Sequence, residues 1–266
     1  MPDLWSDLLA CLTFASTPSD TRYTANNQHL DYHRVFGGQL LAQFVRAASL
    51  TCPEKVVKSL HAVFPREGRA DELVDYEVIC HYEGRSFATL SVIATQSKGP
   101  IGTASISMHV MEDGPAVQTV GPVGPVPGAE HEIALEMIPW ETRASADLDA
   151  TTMGPPEFEL WMRTPPVDPE LVPALAAYAT DLTLIGTALR PMDGLSQRGN
   201  GTQFTSAVTS HTIWFHRTFT TDQWLLLRQH SPVLAHGRSF GRGDILTHDG
   251  VLVASYGQEA LLRIRS

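Results

Sequence analysis

Directly after the glycine pair Gly37-Gly38, apolar residues fall at Leu40, Leu41, Phe44, Val45 and Ala48. This is helical spacing with one wide apolar face. With Arg46 as its one charge, the helix over Val35–Ala48 is expected to be buried by a sheet wrapped around it. The two glycines allow close backbone approach or leave N–H groups free at a helix start. A shorter amphipathic helix is expected over Leu4–Phe14, with Leu4, Leu8, Cys11 and Leu12 on one side. From Val56 the period changes. Strand-like segments run over Val56–Phe64, Leu73–Tyr82, Ser86–Gln96 and Ile101–Met111, separated by turns at Gly68, Gly84 and Gly99. The first 111 residues therefore predict a long helix followed by an antiparallel meander.

Asp113–Gly128 carries Pro115, Pro122, Pro125 and Pro127 among glycines and valines. It is expected to be a linker and the first site of limited proteolysis. Pro155-Pro156 and Pro165-Pro166 predict irregular structure beyond it. After Pro169 the first half is replayed: an apolar helical stretch over Glu170–Arg190, then strands over Ser206–Phe215, Gln223–His230, Ser239–Thr247 and Val251–Ile264.

Three local matches support the replay. Gly84-Arg85-Ser86-Phe87 recurs as Gly237-Arg238-Ser239-Phe240, 153 positions on. Ser59-Leu60-His61-Ala62-Val63-Phe64 is echoed by Thr209-Ser210-His211-Thr212-Ile213-Trp214, 150 positions on. The third pairs Thr103-Ala104-Ser105 with Val253-Ala254-Ser255. A near-constant offset in unchanged order implies a tandem repeat of one helix-plus-sheet unit. The expected organisation is residues 1–112 and 169–266 as repeats, with 113–168 between them.

Composition narrows the partners. The 266 residues are 43% hydrophobic and 18% charged, which is globular rather than disordered. Nineteen Lys+Arg against 29 Asp+Glu give a net charge of −10, which argues against nucleic acid as a partner. Cys11, Cys52 and Cys80 are dispersed, with no paired-cysteine motif, so neither a zinc site nor any other metal site is expected and a reducing compartment is. The N-terminal residues lack a basic region, and no apolar run approaches the roughly 18–20 residues of a membrane span, so a cytoplasmic protein is expected.

Candidate chemistry lies in the second repeat. Asp181 is the one charged residue inside the apolar stretch 171–189, either held there for use or capping a helix break. Gln258 shares a strand face with Leu252, Ala254, Tyr256, Ala260 and Leu262, while Glu259 and Arg263 take the outer face. Its carboxamide serves either packing or the holding of a water. By strand alternation Ser206, Val208 and Ser210 share one face and Thr209 and His211 the other. The matching repeat positions of His61 and His211 favour a structural role for both.

Five motifs, Val35-Phe36-Gly37-Gly38-Gln39, Gly84-Arg85-Ser86-Phe87, Tyr178-Ala179-Thr180-Asp181-Leu182, Trp214-Phe215-His216-Arg217 and Gln258-Glu259, resemble in kind and order the type II acyl-CoA thioesterases. The resemblance implies an α+β double-hotdog fold, each repeat a curved antiparallel sheet around a long helix. It also implies hydrolysis of acyl-CoA to fatty acid and CoA with no cofactor, and assembly as a homodimer or larger homo-oligomer. Family members hold the attacking water with an Asp, a Ser or Thr hydroxyl, and a Gln. Asp181 and Gln258 match two of these. The family hydroxyl stands two residues before an Asp-His pair, which aligns with Val208, and Ser210 takes the place of the Asp. Ser210 is the nearest replacement on the same face, and Thr209 serves only if a bulge shifts the parity. Backbone N–H groups at Gly37, Gly38 and Gln39 are candidates for the thioester oxygen. Two rival readings remain. Asn27-Gln28-His29-Leu30-Asp31 faintly resembles a hotdog hydratase motif, with Thr24 where that motif has Asp. Val208 also suits an acyl-CoA-binding protein without turnover.

Overall fold

A computed structural model of the protein describes residues 3–16 and 21–265. Met1 and Pro2, which the reading of the N-terminus includes, lie outside them. The chain divides into two compact units. Unit 1 comprises residues 1–117, 167–179 and 213–215, and unit 2 comprises 118–166, 180–212 and 216–266.

Unit 1 contains α1 (Leu4–Cys11), β1 (Ala15–Ser16), β2 (Arg22–Ala25), α2 (Gly37–Thr51), β3 (Val56–Val63), β4 (Val74–Glu83), β5 (Phe87–Gln96), β6 (Gly99–His109) and α3 (Val172–Ala179). The Asp3 carboxylate accepts from the N–H groups of Trp5 and Ser6, each at 3.0 Å, and so caps α1. The sheet runs β1-β2-β4-β5-β6-β3, antiparallel throughout. The expected meander is thus present, with β3 folded back beside β6.

Helix α2 lies across β3–β6. Leu41, Phe44 and Ala48 are buried against a sheet face carrying Leu60, Tyr76, Leu90 and Ile106. The helix is buried well beyond its apolar stripe, because α3 covers another side of it. Gly38 makes that approach possible. A Cβ there would stand 2.5 Å from the Tyr178 carbonyl oxygen and equally close to the Phe36 ring.

Unit 2 contains β7 (Glu141–Arg143), β8 (Glu157–Arg163), α4 (Leu184–Leu189), residues 204–212 of β9 (Phe204–Phe215), β10 (Leu225–Ala235), β11 (Arg238–Thr247) and β12 (Leu252–Ile264). Its strands follow the order β9-β12-β11-β10-β8-β7. Within each unit the four main strands have the same arrangement, β4-β5-β6-β3 and β10-β11-β12-β9, and each gains an extra strand, β2 or β8, at the same edge. Helix α4 packs on β8, β10, β11 and β12.

Three expectations need correction. First, the stretch over Glu170–Arg190 is not one helix. It breaks at residues 180–183, where Thr180, Asp181 and Thr183 carry short side chains that compete for backbone hydrogen bonds. Second, an apolar run does approach membrane-span length. Pro169–Leu189 is long and apolar enough by length and composition, and most of it is buried inside the protein, as befits core helix.

Third, the segment 113–168, expected as linker and irregular chain, includes a strand. Glu157–Arg163 pairs with β10 from His230↔Glu157 to Leu225↔Met162, a strand hidden in the sequence by the prolines on either side. The proline-rich segment itself is packed down. Val120, Val123 and Val126 lie against Trp161, Leu226 and Leu246, with Trp224 and Leu252 alongside. A period of three is that of a polyproline II helix, which puts every third side chain on one face. Arg228 holds the segment by donating to the carbonyls of Gly121 (3.1 Å) and Pro122 (2.8 Å). At its start Gln118 donates to the Gly250 carbonyl and accepts from the Leu252 N–H.

Val123→Asp should therefore detach this strap. The expected loss is roughly 1–3 kcal/mol in urea denaturation, the cost of putting a polar group against that apolar patch. New cleavage between residues 118 and 128 in limited proteolysis should accompany it, while the native protein should resist cutting there.

Candidate active site

The break between α3 and α4 and the facing strands β9 and β12 bring together the polar groups that matter in unit 2. Asp181 sits in the break and is 5% exposed. From β12, Tyr256, Gln258, Ala260 and Leu262 are buried, the face expected from alternation. From β9 the side chain that reaches them is His211, fully buried. Its Nδ1 lies 3.0 Å from Gln258 Oε1 and 3.9 Å from Asp181 Oδ1. Its Nε2 lies 2.9 Å from Thr180 Oγ1. The carboxylate and the carboxamide thus converge on one ring nitrogen.

A second network supports the first. The His211 ring stacks on Tyr256, with centroids 6.0 Å apart and planes at 11°. The Tyr256 hydroxyl accepts from Gln229 Nε2 at 2.9 Å, and Gln229 Oε1 accepts from Thr183 (2.9 Å) and Thr187 (3.1 Å). This ties the start of α4 to β10 and β12. Burial raises the Tyr256 phenol above its ordinary pKa, so the ring stays neutral. Room for it comes from Gly243, where a Cβ would run into the Tyr256 ring and stand 2.9 Å from the Arg228 carbonyl.

Among the described residues, Gln258 Nε2 has no hydrogen-bond partner, although the residue is only 2% exposed. A buried donor in that condition is costly unless something it binds completes it.

The expected parity of β9 is reversed at this point. Phe204 is buried at one end, and His211 and Ile213 at the other, so the alternation slips by one residue between them. Ser210 therefore falls on the face opposite His211, and among the described residues its side chain makes no hydrogen bond. Thr209, on the His211 face, donates to the Glu259 carbonyl at 3.1 Å. His61 and His211 also differ. His61 is exposed on β3, whereas His211 is in the core, so matched repeat positions do not imply matched roles. The burial of His211 between Thr180 and Gln258 was not read from the sequence, although the motif that places Ser210 at the Asp of an Asp-His pair puts His211 at the His.

Gly37, Gly38 and Gln39 belong to unit 1. The Gln39 side chain is taken up there, accepting from the Gln28 N–H (2.9 Å) and donating to Asn27 Oδ1 (2.8 Å) and Gln43 Oε1 (3.1 Å). The hydratase-like segment is engaged in the same way. Asn27 Nδ2 also donates to the Ala70 carbonyl (3.2 Å), Gln28 accepts from the Tyr178 hydroxyl (2.7 Å), and His29 Nδ1 lies 2.8 Å from Asp7.

Comparison with known proteins gives the family of the chain. The acyl-CoA thioesterase N-terminal domain model matches residues 28–109, and the acyl-CoA thioesterase C-terminal domain model matches residues 111–262. The chain belongs to the acyl-CoA thioesterase family. Within that family, it is 31% identical to acyl-CoA thioesterase 2 of Haemophilus influenzae over 99% of both chains. Among solved structures it resembles acyl-CoA thioesterase II TesB2 of Mycobacterium marinum. That match has a TM-score of 0.81 and 29% identity, and covers 97% of this chain and 99% of the other. A protein of unknown function with a hot dog fold from Alicyclobacillus acidocaldarius superposes with a TM-score of 0.80 at 16% identity, over 97% of this chain and 98% of that one, which bears on fold alone. The architecture of this thioesterase-family chain is therefore of the hotdog type.

The supporting network carries its own test. Gln229→Leu leaves the buried Thr183 hydroxyl without its acceptor, which should cost about 1–3 kcal/mol. Urea denaturation at unchanged m-value would show this, and an unaltered midpoint would mean the network adds nothing to stability.

Proposed function

We propose that this acyl-CoA thioester hydrolase splits fatty acyl-CoA with a water molecule held between Asp181 and Gln258. The observation that carries the reading is the unpartnered donor Nε2 of Gln258, in a buried carboxamide whose other end shares His211 Nδ1 with the Asp181 carboxylate. A water needs an acceptor for its proton and a donor for its oxygen lone pair, and the two side chains supply one each. Asp181 accepts the proton as the water oxygen attacks the thioester carbonyl carbon. The tetrahedral intermediate collapses with cleavage of the C–S bond. The electron pair leaves on sulfur, CoA departs as its thiol after taking up a proton, and the fatty acid is released as carboxylate.

The third water-holding group in this reading is Thr209. Its hydroxyl hydrogen goes to the Glu259 carbonyl, which leaves oxygen lone pairs able to accept from the water. Ser210, on the opposite face, takes no part.

Asp181→Asn keeps the shape and removes the proton acceptor. Hydrolysis, followed as CoA release with a thiol reagent over a panel of acyl-CoAs, should fall on the order of 10²–10⁴-fold. Stability should hold, since a buried charge is removed. A variant with full activity would exclude Asp181 from the chemistry, and a wild-type protein that binds acyl-CoA without releasing CoA would establish the binding-protein alternative.

The β9 assignment has a separate test. Ser210→Ala should leave turnover within about twofold, while Thr209→Val should lower it on the order of 10-fold or more. The reverse ranking would restore Ser210 to the site.

A further inference from the structure

The geometry points to His211 as the positioning residue that fixes which way the Gln258 carboxamide faces, with Thr180 fixing the tautomer of His211. This rests on the reading in which Gln258 holds the water.

The two ends of a carboxamide are nearly the same shape but opposite in hydrogen bonding. Rotation by about 180° about the terminal torsion, a broad two-fold one, exchanges donor for acceptor. A Gln turned the wrong way would present Oε1 to the water oxygen, where an amide hydrogen is required. Something must bias the choice, and unit 2 contains a directional chain that does so. Gln258 Oε1 only accepts, so the contact at 3.0 Å needs a hydrogen on His211 Nδ1. With the imidazole neutral, a hydrogen on Nδ1 leaves Nε2 bare to accept from the Thr180 hydroxyl 2.9 Å away. Each link therefore has one sense: Thr180 O–H to Nε2, then Nδ1–H to Oε1. The outcome is an Nε2 of Gln258 turned away from the ring, which is the atom found without a partner.

The ring itself is held against swivelling. It lies flat on Tyr256, and Tyr256 is fixed through its hydroxyl by Gln229. A purely packing histidine would need only one satisfied nitrogen and no particular order of donors. Here both nitrogens are used, and the order decides what the neighbouring carboxamide offers.

Two substitutions separate the halves of the ring. Asn at position 211 presents an amide nitrogen near the place of Nδ1, and Gln presents one near the place of Nε2. His211→Asn should therefore keep a donor for Gln258, whereas His211→Gln loses it and keeps a partner for Thr180. In the full-length protein, His211→Gln should lower kcat to about the level of Gln258→Leu, on the order of 10–100-fold, with KM within about threefold. His211→Asn should lose on the order of tenfold less. Combining His211→Gln with Gln258→Leu should cost no more than Gln258→Leu alone, because both act through one group. Equal losses in Asn and Gln, or full additivity in the double variant, would overturn the assignment.

Should either His211 variant fail to fold, Thr180 gives the same test more gently. Thr180→Val should lower kcat several-fold at constant KM, and Thr180→Ser should recover most of that loss. Equal effects of Val and Ser would count against the proposal. A fully active Gln258→Leu would remove the water-holding reading and this one together. An impaired Gln258→Leu beside a fully active His211→Gln or Thr180→Val would remove this one alone.

Discussion

A polar group taken out of water must find a partner, and this requirement shapes the interior of both units. In unit 1 the buried Gln39 and Gln43 of α2 are bound to Asn27, to the backbone at Gln28, Cys11 and Asn26, and to the Tyr76 hydroxyl. In unit 2, Gln229 joins Thr183 and Thr187 to Tyr256, and His211 joins Thr180 to Gln258. Two of these bonds, Tyr76 to Gln43 and Thr187 to Gln229, run between sheet and helix, so they fix the azimuth of α2 and α4 as well as their depth. Apolar contacts alone, being non-directional, would leave rotation about the helix axis less determined. Against that background the unpartnered amide nitrogen of Gln258 is an exception with a location, in a carboxamide bound to the histidine that also neighbours Asp181.

The break has its own physical logic. A carboxylate within a continuous buried helix would face neighbours whose N–H groups are already spent on the ladder. Interrupting the helix at residues 180–183 frees backbone and gathers Thr180, Asp181 and Thr183 where about one turn of apolar helix would otherwise run. The surroundings then carry little charge of their own. Tyr256 is kept neutral by burial, so the stack beneath His211 contributes surface and orientation rather than a competing ionisation.

The long glycine-initiated helix and all eight main strands were legible, because period-2 and period-3.6 patterns survive in the sequence wherever one face is buried. Asp181 stood out as a charge in an apolar run, and Gln258 as a polar residue on an apolar strand face. What escaped reading was anything set by a one-residue change of phase. The slip in β9 exchanges the faces of Ser210 and His211, and burial shows it only once the chain is folded. Strand β8 escaped because proline at its borders looks the same whether it flanks a strand or a loop. The valines of the strap were visible, but a period of three was not weighed as a structure that packs.

That period has a consequence for how such a segment changes over time. With one valine per turn and glycine or proline between, adding or removing three residues shifts the strap along its own axis and leaves the valines on the same side. A change of one or two residues turns the later valines about a third of a revolution, off Trp161, Leu226 and Leu246 and toward solvent. Length variation between residues 118 and 128 is thus filtered by arithmetic: the segment tolerates drift in steps of three, much as a reading frame does.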